Sequence, residues 1–81
     1  MINYKYSFKD FTNKDLSTEP VEDFNDTIIK GTCFYIEGNG FSARFPTDMT
    51  GVVFDRCNLD NCIIPNGNVV KWNCCNNEVV D

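Results

Sequence analysis

The chain has no histidine, and with it go the commonest general base of side-chain catalysis and the commonest nitrogen ligand of zinc. No Ser-His-Asp or Cys-His pairing, glycine-rich phosphate loop or helical metal motif can be assembled from what remains. The sequence therefore predicts a protein that is not an enzyme, with no catalytic, cofactor-binding or metal-binding residues to nominate. Basic residues are also scarce: seven Lys and Arg face twelve Asp and Glu, for a net charge of −5 and a pI near 4.4. Direct binding to nucleic acid needs clustered cations to neutralise phosphates, so it is excluded as an expectation, and a basic protein partner fits better. No apolar run approaches the ~20 residues of a membrane span. The opening MINYKYSFKDFTNK is polar every few positions, unlike a secretory leader, and the expected location is cytoplasmic.

Cysteine is present but lacks the pattern of a site. The five thiols, Cys33, Cys57, Cys62, Cys74 and Cys75, are odd in number and contain no C-x-x-C pair. Reduced, inward-packing side chains are expected rather than a disulfide framework or a metal centre.

What the chain does have is a beat of five. From Phe54, every fifth residue is apolar: Phe54, Leu59, Ile64, Val69, Cys74 and Val79. The positions two earlier, Val52, Cys57, Cys62, Gly67, Trp72 and Asn77, are mostly small or apolar. A period of five suits neither an amphipathic helix nor a plainly alternating strand. The same beat runs through Tyr6, Phe11, Leu16 and Val21, slips by three residues, and resumes at Phe24, Ile29 and Phe34. Residues 37–51 break it, because the expected centres there are Asn39, Arg44 and Met49, and Pro46 with Gly38, Gly40 and Gly51 favours loop geometry.

The units KDFTN, KDLST and CNLDN place Asp or Asn before an apolar centre and polar residues after it. In this they resemble the pentapeptide-repeat family. The resemblance covers residues 1–23 and 52–81 best, with a degenerate motif: the acidic-or-amide slot is held by Asp10, Asp15, Asp23, Asn58, Asn68 and Asn73, and alanine is nearly absent from the small slot. It implies an all-β fold, a short right-handed β-helix of about three to four turns with four pentads per turn, carrying an irregular loop at about 37–51. One domain spans the 81 residues. The alternative is a small antiparallel β-sheet built from hairpins, since Asn66-Gly67 lies between two β-rich runs and Gly38-Asn39-Gly40 between two more.

The resemblance also implies a function. Family members that resemble DNA offer an acidic rod to enzymes that handle nucleic acid. The expected role is inhibition or modulation of such an enzyme, for example a host topoisomerase or an anti-phage defence nuclease complex such as CRISPR-Cas, by a phage or mobile-element protein. The residues nominated for partner binding are Asp10, Asp15, Asp55 and Asp60 on the coil, the run Glu19, Glu22, Asp23 and Asp26, and Phe41, Arg44, Phe45 and Trp72. The acidic run also reads as a solvated loop, Trp72 as a cap, and Phe41 and Phe45 as rings tucked over the coil. A structural or oligomerising module is the second functional expectation, with a homodimer through a coil end to hide open strand edges.

Overall fold

A computed structural model describes residues 1–37, 44–65 and 68–71, the last four as backbone only. The described residues are almost wholly non-helical, with one short 3-10 segment among them at Val21–Asp23. Three strands, β1 (Ile28–Lys30), β2 (Val53–Cys57) and β3 (Asn68–Lys71), form a sheet in the order β1-β2-β3. Both pairings are parallel, Ile28 opposite Val53 and Val53 opposite Asn68. Isolated bridges extend the sheet, again in parallel: Ile2 to Ile28, Asp10 to Cys33, Cys33 to Asn58 and Arg44 to Ile63. No antiparallel pair occurs among the described residues, so the hairpin-built sheet finds no counterpart there. Asn39-Gly40 and Asn66-Gly67, the two hairpin tips, lie outside the described residues.

Parallel neighbours require the chain to travel round and return, and the register gives the length of that journey. Ile28–Val53 and Cys33–Asn58 are both 25 residues apart, whereas Val53 and Asn68 are 15 apart. Arg44 and Ile63 are 19 apart, next to the 20 that four pentads would give, so the described returns vary to either side of that spacing. The chain lies in levels, the first around Ile2 to Asn13, the second around Ile28 to Ile36, the third around Val53 to Asn61.

The origin of the five-residue beat is visible in the backbone. Among the described residues seven have a left-handed φ: Phe8, Asn13, Asp26, Gly31, Gly51, Arg56 and Asn61. Within each level they recur at intervals of five, as Phe8 to Asn13, Asp26 to Gly31, and Gly51 to Arg56 to Asn61. Every one follows an apolar residue by two positions: Tyr6, Phe11, Phe24, Ile29, Met49, Phe54 and Leu59. Six of these seven are buried, and Phe11 packs half-buried against the same core. In extended chain alternate side chains face the same way. Where the chain runs extended into a left-handed corner that turns it, as before Gly31 and Arg56, this makes a unit of five, whereas Phe8 and Asp26 follow turn and 3-10 segments. A left-handed corner excludes most side chains, so glycine, asparagine and aspartate fill five of the seven corners.

In the second and third levels the slot two before the centre also faces inward, where Thr27, Thr32, Val52 and Cys57 are buried. The small polar heads of Thr27, Thr32 and Cys57 reach the neighbouring level. Thr27 Oγ1 donates to the Met1 carbonyl at 3.0 Å, Thr32 Oγ1 to that of Tyr6, and Cys57 Sγ to that of Ile29 at 3.3 Å. Cys62, half-buried, donates to the Phe34 carbonyl at 2.9 Å. The expectation that thiols pack inward holds for Cys33, Cys57 and Cys62, while Cys74 and Cys75 lie outside the described residues.

Aromatic rings fill the interior. Tyr6 stacks on Phe24 at 4.7 Å between centroids, Phe11 on Phe34 at 5.7 Å, and Phe34 meets Phe54 edge-on at 5.5 Å. Phe45 joins them, lying 5.9, 5.2 and 5.4 Å from Phe24, Phe34 and Phe54. Of the expected irregular loop at about 37–51, residues 38–43 lie outside the described residues, and 44–51 hold no strand, only the isolated backbone bridge from Arg44 to Ile63. Phe45, Pro46 and Met49 are buried, so this irregular segment packs onto the body. One correction concerns Val21. Pro20 starts the 3-10 turn there, which leaves Val21 38% exposed and delivers Phe24 to the core in its place.

Candidate interaction surface

The surface carboxylates are best understood from the turns that hold them. In the stretch Asp10-Phe11-Thr12-Asn13, Asp10 Oδ1 accepts hydrogen bonds from the Thr12 amide at 2.9 Å and from the Thr12 hydroxyl. The turn closes with the Lys14 amide donating to the Phe11 carbonyl at 3.1 Å. Asp48-Met49-Thr50-Gly51 repeats it: Asp48 Oδ1 accepts from the Thr50 amide at 3.2 Å and hydroxyl at 2.6 Å, and Val52 N–H donates to Met49 C=O at 3.3 Å. Asn58-Leu59-Asp60-Asn61 is the third copy, with the Asp60 amide on Asn58 Oδ1 at 2.9 Å and Cys62 N–H on Leu59 C=O at 3.0 Å. All three place the left-handed residue third in the closed turn, as type II geometry requires. Asp15 makes the same side-chain contact, accepting from the Ser17 amide at 2.9 Å, but Thr18 follows where the others have Asn or Gly, and no left-handed φ occurs there.

These contacts favour the ionised carboxylate. The Thr12 hydroxyl and then its amide hold the Asp10 carboxyl below its ordinary range, the Ser17 amide does so for Asp15, and the Thr50 hydroxyl for Asp48. Asp48 was not among the nominated residues. The signal was present, because Asp48-x-Thr50-Gly51 repeats Asp10-x-Thr12-Asn13, but the failed centres at Asn39 and Arg44 obscured it.

The other nominated carboxylates divide. Glu19 and Asp23 turn inward onto the first level. The Tyr6 hydroxyl donates to Glu19 Oε1 at 2.6 Å and reaches Asp23 Oδ2 at 3.4 Å, while Lys5 Nζ lies 2.9 Å from Asp23 and 3.5 Å from Glu19. Burial first, and then the Glu19 hydrogen bond, push the Tyr6 phenol far above its ordinary value. This pair ties the segment after Thr18 to the start of the chain, so it serves the fold, whereas Glu22 remains exposed. Asp26 is an exposed corner residue. Asp55 is half-buried on β2, opposite Lys30 in register and 4.0 Å from Arg56, and Asp60 is exposed in its turn.

Around one corner, the backbones of three levels meet. Asp10, Cys33 and Asn58 share a ladder; the Asn13 amide donates to the Tyr35 carbonyl, the Glu37 amide to Asn13 Oδ1, and the Ile36 amide to the Asp60 carbonyl. Asp10, Glu37 and Asp60 belong to these segments and are all exposed. Arg44 is exposed, and after the Ser17 hydrogen bonds its positive charge also favours the ionised Asp15 carboxylate. Phe45 is buried in the core, the tucked placement of the two given for it, and Phe41 and Trp72 lie outside the described residues.

The body measures 30 × 28 × 18 Å, which is flattened rather than rod-like. Among the described residues no three Cys, Asp or Glu side chains are placed to hold a metal ion, and no helix is long and apolar enough to cross a membrane. Comparison with protein-family models, with curated proteins and with solved structures finds no match.

Proposed function

We propose that the chain is a short β-solenoid of the pentapeptide-repeat kind, with degenerate repeats, and that it acts as a non-enzymatic acidic binding protein. Its target is the basic, nucleic-acid-binding surface of an enzyme such as a topoisomerase or a defence nuclease complex. The solenoid reading is supported by parallel levels whose corners recur every five residues. The functional reading is carried by one observation: exposed carboxylates are fixed in place, and in the ionised state, by turns that repeat from level to level. Pre-ordered acceptors lose little freedom when they meet Lys and Arg arranged for phosphate. The flattened body supports charge presentation, not imitation of a duplex in outline.

The test is binding to a topoisomerase and to a DNA-binding nuclease complex across rising salt, with duplex DNA as competitor. Asp10, Asp15, Asp48 and Asp60 are changed together to Asn, which keeps the turn acceptors and removes the charge. The proposal expects affinity to fall at least tenfold and a shallower salt dependence, with cooperative unfolding retained at a somewhat lower thermal midpoint because the turn bonds lose their charge. Affinity and salt dependence that survive the four changes refute charge presentation.

A further inference from the structure

The paired strands β1 and β2 have an inner and an outer face. Ile29 and Phe54, opposite each other in register, are fully buried, so Ile28, Lys30, Val53 and Asp55, one residue to either side, point outward. All four are half-buried. Paired residues of a ladder share a face, which sets Ile28 beside Val53 and Lys30 beside Asp55, one strand spacing of ~4.8 Å apart. Ile2 bridges Ile28 from the first level and lengthens the aliphatic column. Among the described residues Phe11, Cys62 and Ile64 are the half-buried apolar side chains packed against the core; Ile2, Ile28 and Val53 are not.

Pattern and charge both set this outer face apart. Ile28-Ile29 and Val52-Val53-Phe54 are continuous apolar runs, as parallel strands carry when both faces of their sheet are covered. Lys30 and Asp55 have opposite charges, yet among the described residues Lys30 makes no ion pair and Asp55 has Arg56 at 4.0 Å. The face therefore holds an aliphatic pair and a cation-anion pair in adjacent rows, with β1 supplying one member of each and β2 the other.

We infer that this face docks on a second copy of the chain. A two-fold axis laid along the strands, midway between β1 and β2, brings each β1 position onto the β2 position of the other copy. Ile28 then meets Val53 of the second copy and Lys30 meets Asp55 of the second copy, and symmetry makes each contact twice. Strand directions stay aligned across the interface, as in face-to-face sheet packing. The face is thus its own complement, whereas a foreign strand of a single charge sign would match one of its two charges and oppose the other. The contact lies on the side of the stacked levels, not at an end. It uses none of Asp10, Asp15, Asp48 and Asp60, so it does not rest on the function proposed above.

Sedimentation equilibrium of the full chain reads the dissociation constant. Lys30→Glu and Asp55→Lys each set like charges across the interface and are expected to weaken self-association at least tenfold. Each also sets like charges side by side within one chain, so the deciding sample is an equimolar mixture of the two variants. In a mixed pair every charge contact across the interface joins opposite signs, while the repulsion inside each chain is unchanged. The mixture is expected to associate at least tenfold more tightly than either variant alone. A wild-type chain that stays monomeric at every concentration, self-association that both reversals leave unchanged, or a mixture no tighter than its components overturns the inference. If either variant fails to fold, a wild-type sample mixing isotope-labelled and unlabelled copies decides. Methyl contacts from Ile28 to Val53 between copies are expected, and their absence overturns the inference.

Discussion

Gly51 sits at φ +75°, and a Cβ built there falls 2.1 Å from Asp26 Oδ1. Gly51→Ala combines that clash with a left-handed alanine, which together destabilise by about 2 kcal/mol. Asp26→Gly, made in the same chain, removes the clash and recovers part of the loss; chemical denaturation of the three variants measures both effects. Arg56 presents the converse case. It holds a left-handed φ of 60° without the chemistry for it, so Arg56→Asn is expected to stabilise by about 0.5–1 kcal/mol. The titrating residues set opposite limits. Asp10, Asp15 and Asp48 have lowered pKa values, so their contribution is complete above the ordinary carboxylate range and disappears as pH falls through the folded-state values. Tyr6 and Lys5 are raised, so theirs is present below about pH 10 and disappears as pH rises beyond it. A thermal midpoint that drops at both extremes is expected, with Tyr6→Phe flattening the alkaline side.

The element that explains most is the five-residue side with its corner, and it was half legible in the sequence. Phe24, Ile29, Phe34, Phe54 and Leu59, the apolar centres named by the beat, are all buried. The beat records that two of four extended residues face inward and one corner resets the alternation, which is a local rule and so survives in local sequence. Its failures have local causes as well. Val21 was lost because Pro20 begins a 3-10 turn, and Met49 was obscured because Phe45 reaches the core off the beat. The return of the chain after 25 residues is set by which levels pair, and nothing within one pentad encodes it. The inward roles of Glu19 and Asp23 depend likewise on Tyr6 and Lys5, which lie 13 to 18 residues away. The turn element makes its own prediction. Asn58 is buried and its Oδ1 holds the Asp60 amide, so Asn58→Ala is expected to cost about 1–2 kcal/mol in denaturant unfolding.

At the scale of the whole molecule, a small chain gains its core through aromatic rings that cross between levels. Phe45 touches rings at three places, and Phe54 joins Phe34 to Phe45 from the middle of the sheet. Phe54→Ala removes a fully buried ring at a cost of about 3–5 kcal/mol, comparable with the whole stability of a domain of this size. Loss of cooperative unfolding at ambient temperature is the expected result. The central claim, that parallel levels turn at left-handed corners every five residues, is tested most directly by NMR on the labelled chain. Strong intraresidue amide-to-Hα contacts are predicted at Phe8, Asn13, Asp26, Arg56 and Asn61, together with interstrand contacts joining Ile28 to Val53 and Cys33 to Asn58. Extended couplings at those five residues, or antiparallel Hα-to-Hα contacts between residues 62–64 and 68–71, would contradict it.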